Sequence, residues 1–199
     1  LEQLRRWNIK PIFTSSEAVF DGEKGDYIET DEAISILVYG RQKLEIERYL
    51  QSQSDQFAIL RLAKIFGSQP GDGTMFTGWM ESIERGDTIH CARDQVFSPI
   101  HVDDVAEGII RVVDTDSSGL FHVACHQAYA RLDLLEMLIS EVEKYSPVSS
   151  EVIPMSINDF PVKERRPLNL SMRPDKFLSS TDLQIDDMDT ICRSIVDNA

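Results

Sequence analysis

Long hydrophobic runs are missing from this sequence. Its apolar stretches are short, such as Ile34 to Val38 with Ser35 inside it, and none approaches the roughly 20 residues that a membrane-spanning helix requires. The opening LEQLRRWNIK has two arginines but no apolar core behind them, so it does not read as a signal peptide. Positive charge is also scarce. Twenty Lys and Arg face 34 Asp and Glu, for a formal net charge of −14, a balance that repels a polyphosphate backbone and argues against nucleic-acid partners. Cysteine occurs only at 91, 125 and 192. That odd, widely spaced set is neither a disulfide framework nor a zinc site, and it fits reduced thiols in a cytoplasmic protein. Glycine-rich phosphate loops are absent: there is no G-x-G-x-x-G or G-x-x-x-x-G-K-[ST], and the GDG at 71–73 is too short to replace one.

What is present is an alternation of strand-like and helix-like segments. KPIFTSS (10–16), QFAILRLAKIFG (56–67) and GLFHVA (119–124) read as strands. Helical periodicity runs over about 36–51, 75–86, 102–115, 131–145 and 186–197, and 2–7 looks like a helix tail. The helix at 102 is expected to be capped by Asp103 or Asp104. A short strand is possible at 149–156, and 157–180, with Pro161, Pro167 and Pro174, reads as loop. His122 and His126 are four apart, but GLFHVACHQ reads as a strand entering a loop, so no metal site is expected. Such alternation predicts an α/β fold with a parallel sheet.

One constellation carries chemistry. Tyr39 and Lys43 are four residues apart on a predicted helix and share a face. A free tyrosine is a poor proton donor or acceptor at neutral pH, but an ammonium one turn away favours the phenolate. Such a pair can exchange a proton with a carbonyl or alcohol. Ser16, at the carboxyl end of the preceding predicted strand, could hydrogen-bond the same oxygen, and that end of a parallel sheet is where ligands bind. Alone, Tyr-x-x-x-Lys is weak: with five Tyr and seven Lys in 199 residues, chance supplies one about one time in six. The order of the surrounding segments gives it weight.

TSSEAVFDG (14–22), YGRQKLEIE (39–47) and ILRLAKIFG (59–67) together resemble the extended short-chain dehydrogenase/reductase family, and within it the dTDP-4-dehydrorhamnose reductases. SPIHVDDVAEGI (98–109), GLFHVA (119–124) and RPLNLSMRPDKF (166–177) are similar to later segments of the same family, so the likeness covers nearly the whole chain in order. The resemblance implies the C-terminal part of a Rossmann-like parallel sheet with helices on both faces and a small substrate-binding subdomain. Residues 1–67 would be the C-terminal half of a dinucleotide-binding Rossmann domain, carrying Ser/Tyr/Lys. Residues 68–199 would mix the remaining Rossmann elements with the substrate subdomain. It further implies NADP or NAD as cofactor and reduction of a 4-keto nucleotide sugar. Tyr39 would be the general acid, Lys43 would hold the cofactor ribose, and Ser16 would polarise the carbonyl. Leu62, Ala63 and Lys64 would border the nicotinamide, Val19 and Phe20 would lie near the sugar, and Arg166 would hold a substrate phosphate.

Two departures qualify the likeness. The family places a strand and a Gly-rich turn roughly a hundred residues before its catalytic serine, here Ser16; without that turn the pyrophosphate has lost its main site. The expectation is a fragment, inactive alone, that needs its N-terminal half or self-associates, for instance as a homodimer. Lys64 stands where these reductases tend to carry an aromatic residue. Two other readings stay open: a nucleotide-sugar epimerase or dehydratase, since Glu17 puts an acid beside Ser16, and a non-catalytic regulatory protein like the regulatory subunit of methionine adenosyltransferase.

Overall fold

The computed structural model describes residues 2–53 and 56–198. In chain order its elements are α1 (Glu2–Arg6), β1 (Ile12–Ser16), a 3₁₀ turn (Glu17–Val19), α2 (Val38–Gln53), β2 (Ala58–Leu62), β3 (Ile65–Phe66), α3 (Met75–Arg85), β4 (Ile89–Ala92), β5 (Val96–Phe97), β6 (Ile100–His101), α4 (Val102–Asp114), β7 (Gly119–Val123), β8 (Tyr129–Ala130), α5 (Arg131–Val142), β9 (Val152–Met155), a second 3₁₀ turn (Ile157–Asp159), α6 (Asp175–Thr181) and α7 (Met188–Asp197). Among the described residues, no helix is long and apolar enough to cross a membrane.

The organising sheet is parallel, in the order β1-β2-β7. Its register sets Ser16 beside Leu62 and Leu62 beside Val123, so the three strands end on one row. Central β2 is buried over Ala58, Ile59, Leu60 and Arg61, as expected of a strand covered on both faces. Among the described residues, β1 is paired on one side only and is more open. Helix α2 meets the sheet through Gly40, Leu44, Glu47 and Leu50, a spacing that keeps one stripe of the helix inward. This first core gathers Val19, Phe20, Leu44, Leu60, Phe121, Met172 and Phe177.

A second core lies among α3, α5 and α7, with Trp79, Leu134, Leu135, Leu138, Ile191 and Cys192 at its centre. Parallel β4 and β9 flank it. The first core takes residues from 12 to 185 and the second from 66 to 196, so the two interleave along the chain.

Local departures from the sequence reading have clear causes. α2 begins at Val38 because Ser35 Oγ accepts the Leu37 N–H at 3.1 Å and donates to the Ala18 carbonyl at 2.6 Å, holding the approach extended. α4 is capped by His101, whose Nδ1 accepts the Asp103 N–H at 3.2 Å; Asp103 and Asp104 lie inside the first turn, where their charge suits the helix dipole. Within 157–180, α6 forms after Pro174, and burial of Phe177 and Thr181 holds it there.

Candidate active site

Ser16 closes β1 and caps the 3₁₀ turn that follows. Its Oγ accepts the Ala18 N–H at 3.2 Å, which leaves the hydroxyl proton uncommitted and able to donate to a ligand oxygen. The turn itself abuts the start of α2. A Cβ on Gly40 would stand 1.9 Å from the Ala18 carbonyl oxygen and 2.2 Å from Ser35 Oγ, so glycine at this position lets the helix sit against the residues after Ser16. The same contact delivers Tyr39, one residue earlier, to the rim of the sheet. Its ring is half exposed, at 51%.

Lys43 lies one turn further along α2. Its Nζ donates to the Thr14 carbonyl at 2.8 Å, and it stands 4.9 Å from the centre of the Phe13 ring and 5.5 Å from that of Tyr39. A single hydrogen bond leaves the ammonium with further donors free. Ser16, Tyr39 and Lys43 are thus carried to one end of the parallel sheet by β1 and the first turns of α2.

The other expected residues divide. Leu62 ends β2 beside Ser16 and is partly buried. Ala63 is buried, its N–H donating to the Val123 carbonyl at 3.0 Å. Lys64 is exposed, and its backbone N–H donates to Glu17 Oε2 at 3.1 Å. Glu17 is itself buried, and desolvation pushes its carboxyl up to about 8, partly offset by the nearby Lys64 charge and N–H. Val19 and Phe20, expected near the sugar, are both fully buried. Phe20 stacks on Tyr27 at 3.9 Å and lies 5.0 Å from the Arg61 guanidinium. They support the site from beneath and offer no side-chain surface to a sugar.

Arg166 bonds none of the three catalytic candidates, but its segment is anchored close to them. Glu164 Oε1 accepts the Val38 N–H at 3.2 Å, at the first residue of the helix that carries Tyr39. The two motifs that the sequence placed 145 residues apart also meet. The Asn169 N–H donates to the Gly22 carbonyl at 3.0 Å, and the Asp26 N–H to Ser171 Oγ at 2.7 Å. A Cβ on Gly22 would press within 2.5 Å of Pro167 Cβ. The loop after Phe20 and the segment after Arg166 are therefore one packed unit.

Sequence reasoning missed a buried polar cluster under this rim. Arg61 Nη2 and Nε donate to Glu47 at 2.7 and 3.1 Å, and Ser15 Oγ donates to Glu47 Oε1 at 2.5 Å. His122 lies beside Arg61 at 3.4 Å, and its Nδ1 is 3.0 Å from the Tyr27 carbonyl. A carbonyl only accepts, so Nδ1 carries the proton and Nε2 accepts from Arg61. Burial, aided by the Arg61 charge, lowers His122 to about 3, so the ring is neutral. The available signal was a charged residue inside AILRL, since arginine in a covered strand needs a buried partner. A cleft of about 300 Å³ lined by Leu4, Lys10, Phe57 and Asp116 lies at the opposite ends of the strands, away from this chemistry.

The chain belongs to the family described as the RmlD substrate binding domain, whose model matches residues 2–199. Among curated proteins it is 36% identical over 132 residues to the "Probable low-salt glycan biosynthesis reductase Agl14" of Haloferax volcanii, covering 64% of this chain and 44% of that one. It is 26% identical over 200 residues to a dTDP-4-dehydrorhamnose reductase of Aggregatibacter actinomycetemcomitans, covering 96% and 67%. It is 27% identical over 171 residues to methionine adenosyltransferase 2 subunit beta of Danio rerio, covering 81% and 51%. The chain thus spans between 44% and 67% of these relatives' lengths. In fold it is similar to the crystal structure of a dTDP-4-dehydrorhamnose reductase from Bacillus anthracis in complex with NADP, with a TM-score of 0.82 at 19% identity, covering 96% of this chain and 66% of that one.

Proposed function

We propose that this chain carries the proton-transfer half of an NAD(P)H-dependent reductase acting on a 4-keto sugar nucleotide. The observation that carries the reading is the Lys43 ammonium, which lies beside the Tyr39 ring while bonded to the backbone of the strand that ends in Ser16. In this reading the Tyr39 O–H gives its proton to a carbonyl oxygen as that oxygen gains charge. The uncommitted Ser16 proton donates to the same oxygen and stabilises it. The donors that Lys43 keeps free suit ribose hydroxyls, and the guanidinium of Arg166, in the segment that Glu164 anchors to the start of α2, suits a phosphate. A nicotinamide cofactor, when bound, supplies the hydride; support for it comes from the reductase relatives and from the neighbour solved with NADP.

The test adds NADPH and a dTDP-4-keto sugar to the whole protein and follows NADPH absorbance. Consumption is expected, with kcat falling by about 10²–10⁴-fold in Tyr39→Phe. Undiminished consumption in that variant would sink the proposal.

Glu17 supports a second reading. A carboxyl beside Ser16 that keeps its proton at neutral pH suits the additional acid–base step of a dehydratase or epimerase. Product formed without net loss of NADPH, and abolished in Glu17→Gln, would favour it. Tight partner binding without turnover would favour a regulatory role, as the likeness to the methionine adenosyltransferase subunit suggests.

A further inference from the structure

We infer that Glu47 and Arg61, with Ser15, are positioning residues that lock the Tyr39/Lys43 helix to the strand bearing Ser16. The sheet register aligns Ser15, Arg61 and His122 as cross-strand neighbours on one row, a single residue beneath the rim row of Ser16, Leu62 and Val123. Side chains alternate along a strand, so this row turns one set of polar groups to one face of the sheet. Glu47 reaches that row from α2. It follows Lys43 by four residues and Tyr39 by eight, so one turn of helix separates the anchor from the ammonium and two separate it from the phenol.

All four groups are out of water: Glu47 is 1% exposed, Ser15 3%, Arg61 4% and His122 0%. The anchor is directional. One carboxylate takes both nitrogens of a guanidinium fork and a hydroxyl, at 2.7, 3.1 and 2.5 Å. Such bidentate pairing fixes orientation as well as distance, so the roll and axial position of α2 are set by the row. Ser15 is the direct link, since it adjoins Ser16 in the chain and bonds the helix that carries the other two groups. Neutral His122 completes the row by accepting from Arg61 and donating to the Tyr27 carbonyl. That second bond ties the acid-rich loop to the same anchor.

The inference rests on the reductase reading for one of its two readouts. Ser15→Ala removes the hydroxyl link and leaves the Glu47–Arg61 pair, so the fold is retained. In the whole protein with NADPH and a dTDP-4-keto sugar, kcat is expected to fall about tenfold, because small misplacements of reacting groups are costly. The sugar-nucleotide KM stays within about twofold, since uniform binding is untouched, and Ser15→Thr restores kcat. A raised KM with unchanged kcat, or no change in either, overturns the inference. If the wild-type protein turns over no keto sugar, the reductase reading fails by itself, and the anchor is then decided without turnover. The ¹³Cζ resonance of Tyr39 at neutral pH should move in Ser15→Ala and return in Ser15→Thr. An unmoved resonance overturns the anchor.

Discussion

The two cores of this protein bury different things. Beneath the rim that carries Ser16 and Leu62, the β1-β2-β7 region encloses Ser15, Glu17, Glu47, Arg61 and His122, a concentration of hydrogen-bonding and ionisable groups. The region of α3, α5 and α7 is built from Trp79, Phe76, Leu134, Leu135, Leu138 and Ile191, with the free thiols Cys91 and Cys192 packed as small apolar groups. Its buried Glu141 reaches Lys144 at the surface. Apolar packing is tolerant of exchange at constant volume, whereas polar bonds are directional. Directional bonding thus lies beneath the rim where the proposed reaction needs Ser16, Tyr39 and Lys43 in a fixed geometry, and volume filling lies where cohesion suffices.

The comparison can be broken by deletion on each side. Glu47→Ala strands the Arg61 guanidinium in the interior, and its expected cost in denaturant unfolding is about 3–5 kcal/mol. Leu135→Ala in the second core should cost about 2–4 kcal/mol through lost burial and a cavity. The sharper contrast is in repair. Replacing Glu47 and Arg61 together by apolar residues of similar size should recover most of the stability while leaving kcat low. A double variant with full kcat would show that the polar row serves stability alone.

Titration separates the regions next. Glu17 is raised from 4.5 to about 8 in the fold. Between those values the unfolded chain has released a proton that the native one keeps, so stability falls as pH rises from about 4.5 to 8 and is level above. His122 is lowered from 6.5 to about 3. There the unfolded chain holds the extra proton, so stability falls as pH drops from about 6.5 to 3. The two slopes oppose each other between 4.5 and 6.5, and each stands alone outside that window. The expected loss from pH 6.5 to 8 is on the order of 2 kcal/mol, read from melting temperatures, and Glu17→Gln should remove it. A melting temperature flat across that range in the wild type would show that Glu17 is ionised in the fold.

The smallest effects come from two helical glycines. A Cβ at Gly78, in α3, meets nothing within 4 Å, so Gly78→Ala should stabilise by about 0.5–1 kcal/mol. At Gly40 the same methyl meets the Ala18 carbonyl, and Gly40→Ala should destabilise by about 1–3 kcal/mol. Equal outcomes in thermal melts would remove the argument that α2 is pressed against the turn after Ser16.

Much of this was legible in the chain. Strand and helix periods marked β1, α2, α4, β7 and α5 to within a few residues, because each buries one regular stripe or face, while the single strand read over 56–67 divides into β2 and β3. Tyr39 and Lys43 could be paired from spacing because an α-helix repeats locally. Helix α6 was hidden in a proline-rich stretch, since seven residues have too little period to read and burial of Phe177 decides them. That Val19 and Phe20 turn inward was hidden in the sequence; adjacency to Ser16 says nothing about which way a side chain turns.

From the chain alone came the elements, their alternation and the Tyr39/Lys43 pairing on one helix face, since these depend on interactions spanning a few residues. Tertiary structure alone decided the strand register that lines up Ser15, Arg61 and His122, the meeting of Gly22 with Pro167, and the reach of Glu47 into the sheet. Those contacts join residues from 14 to 145 positions apart, and a buried charge can only be satisfied once both partners have been brought out of water together.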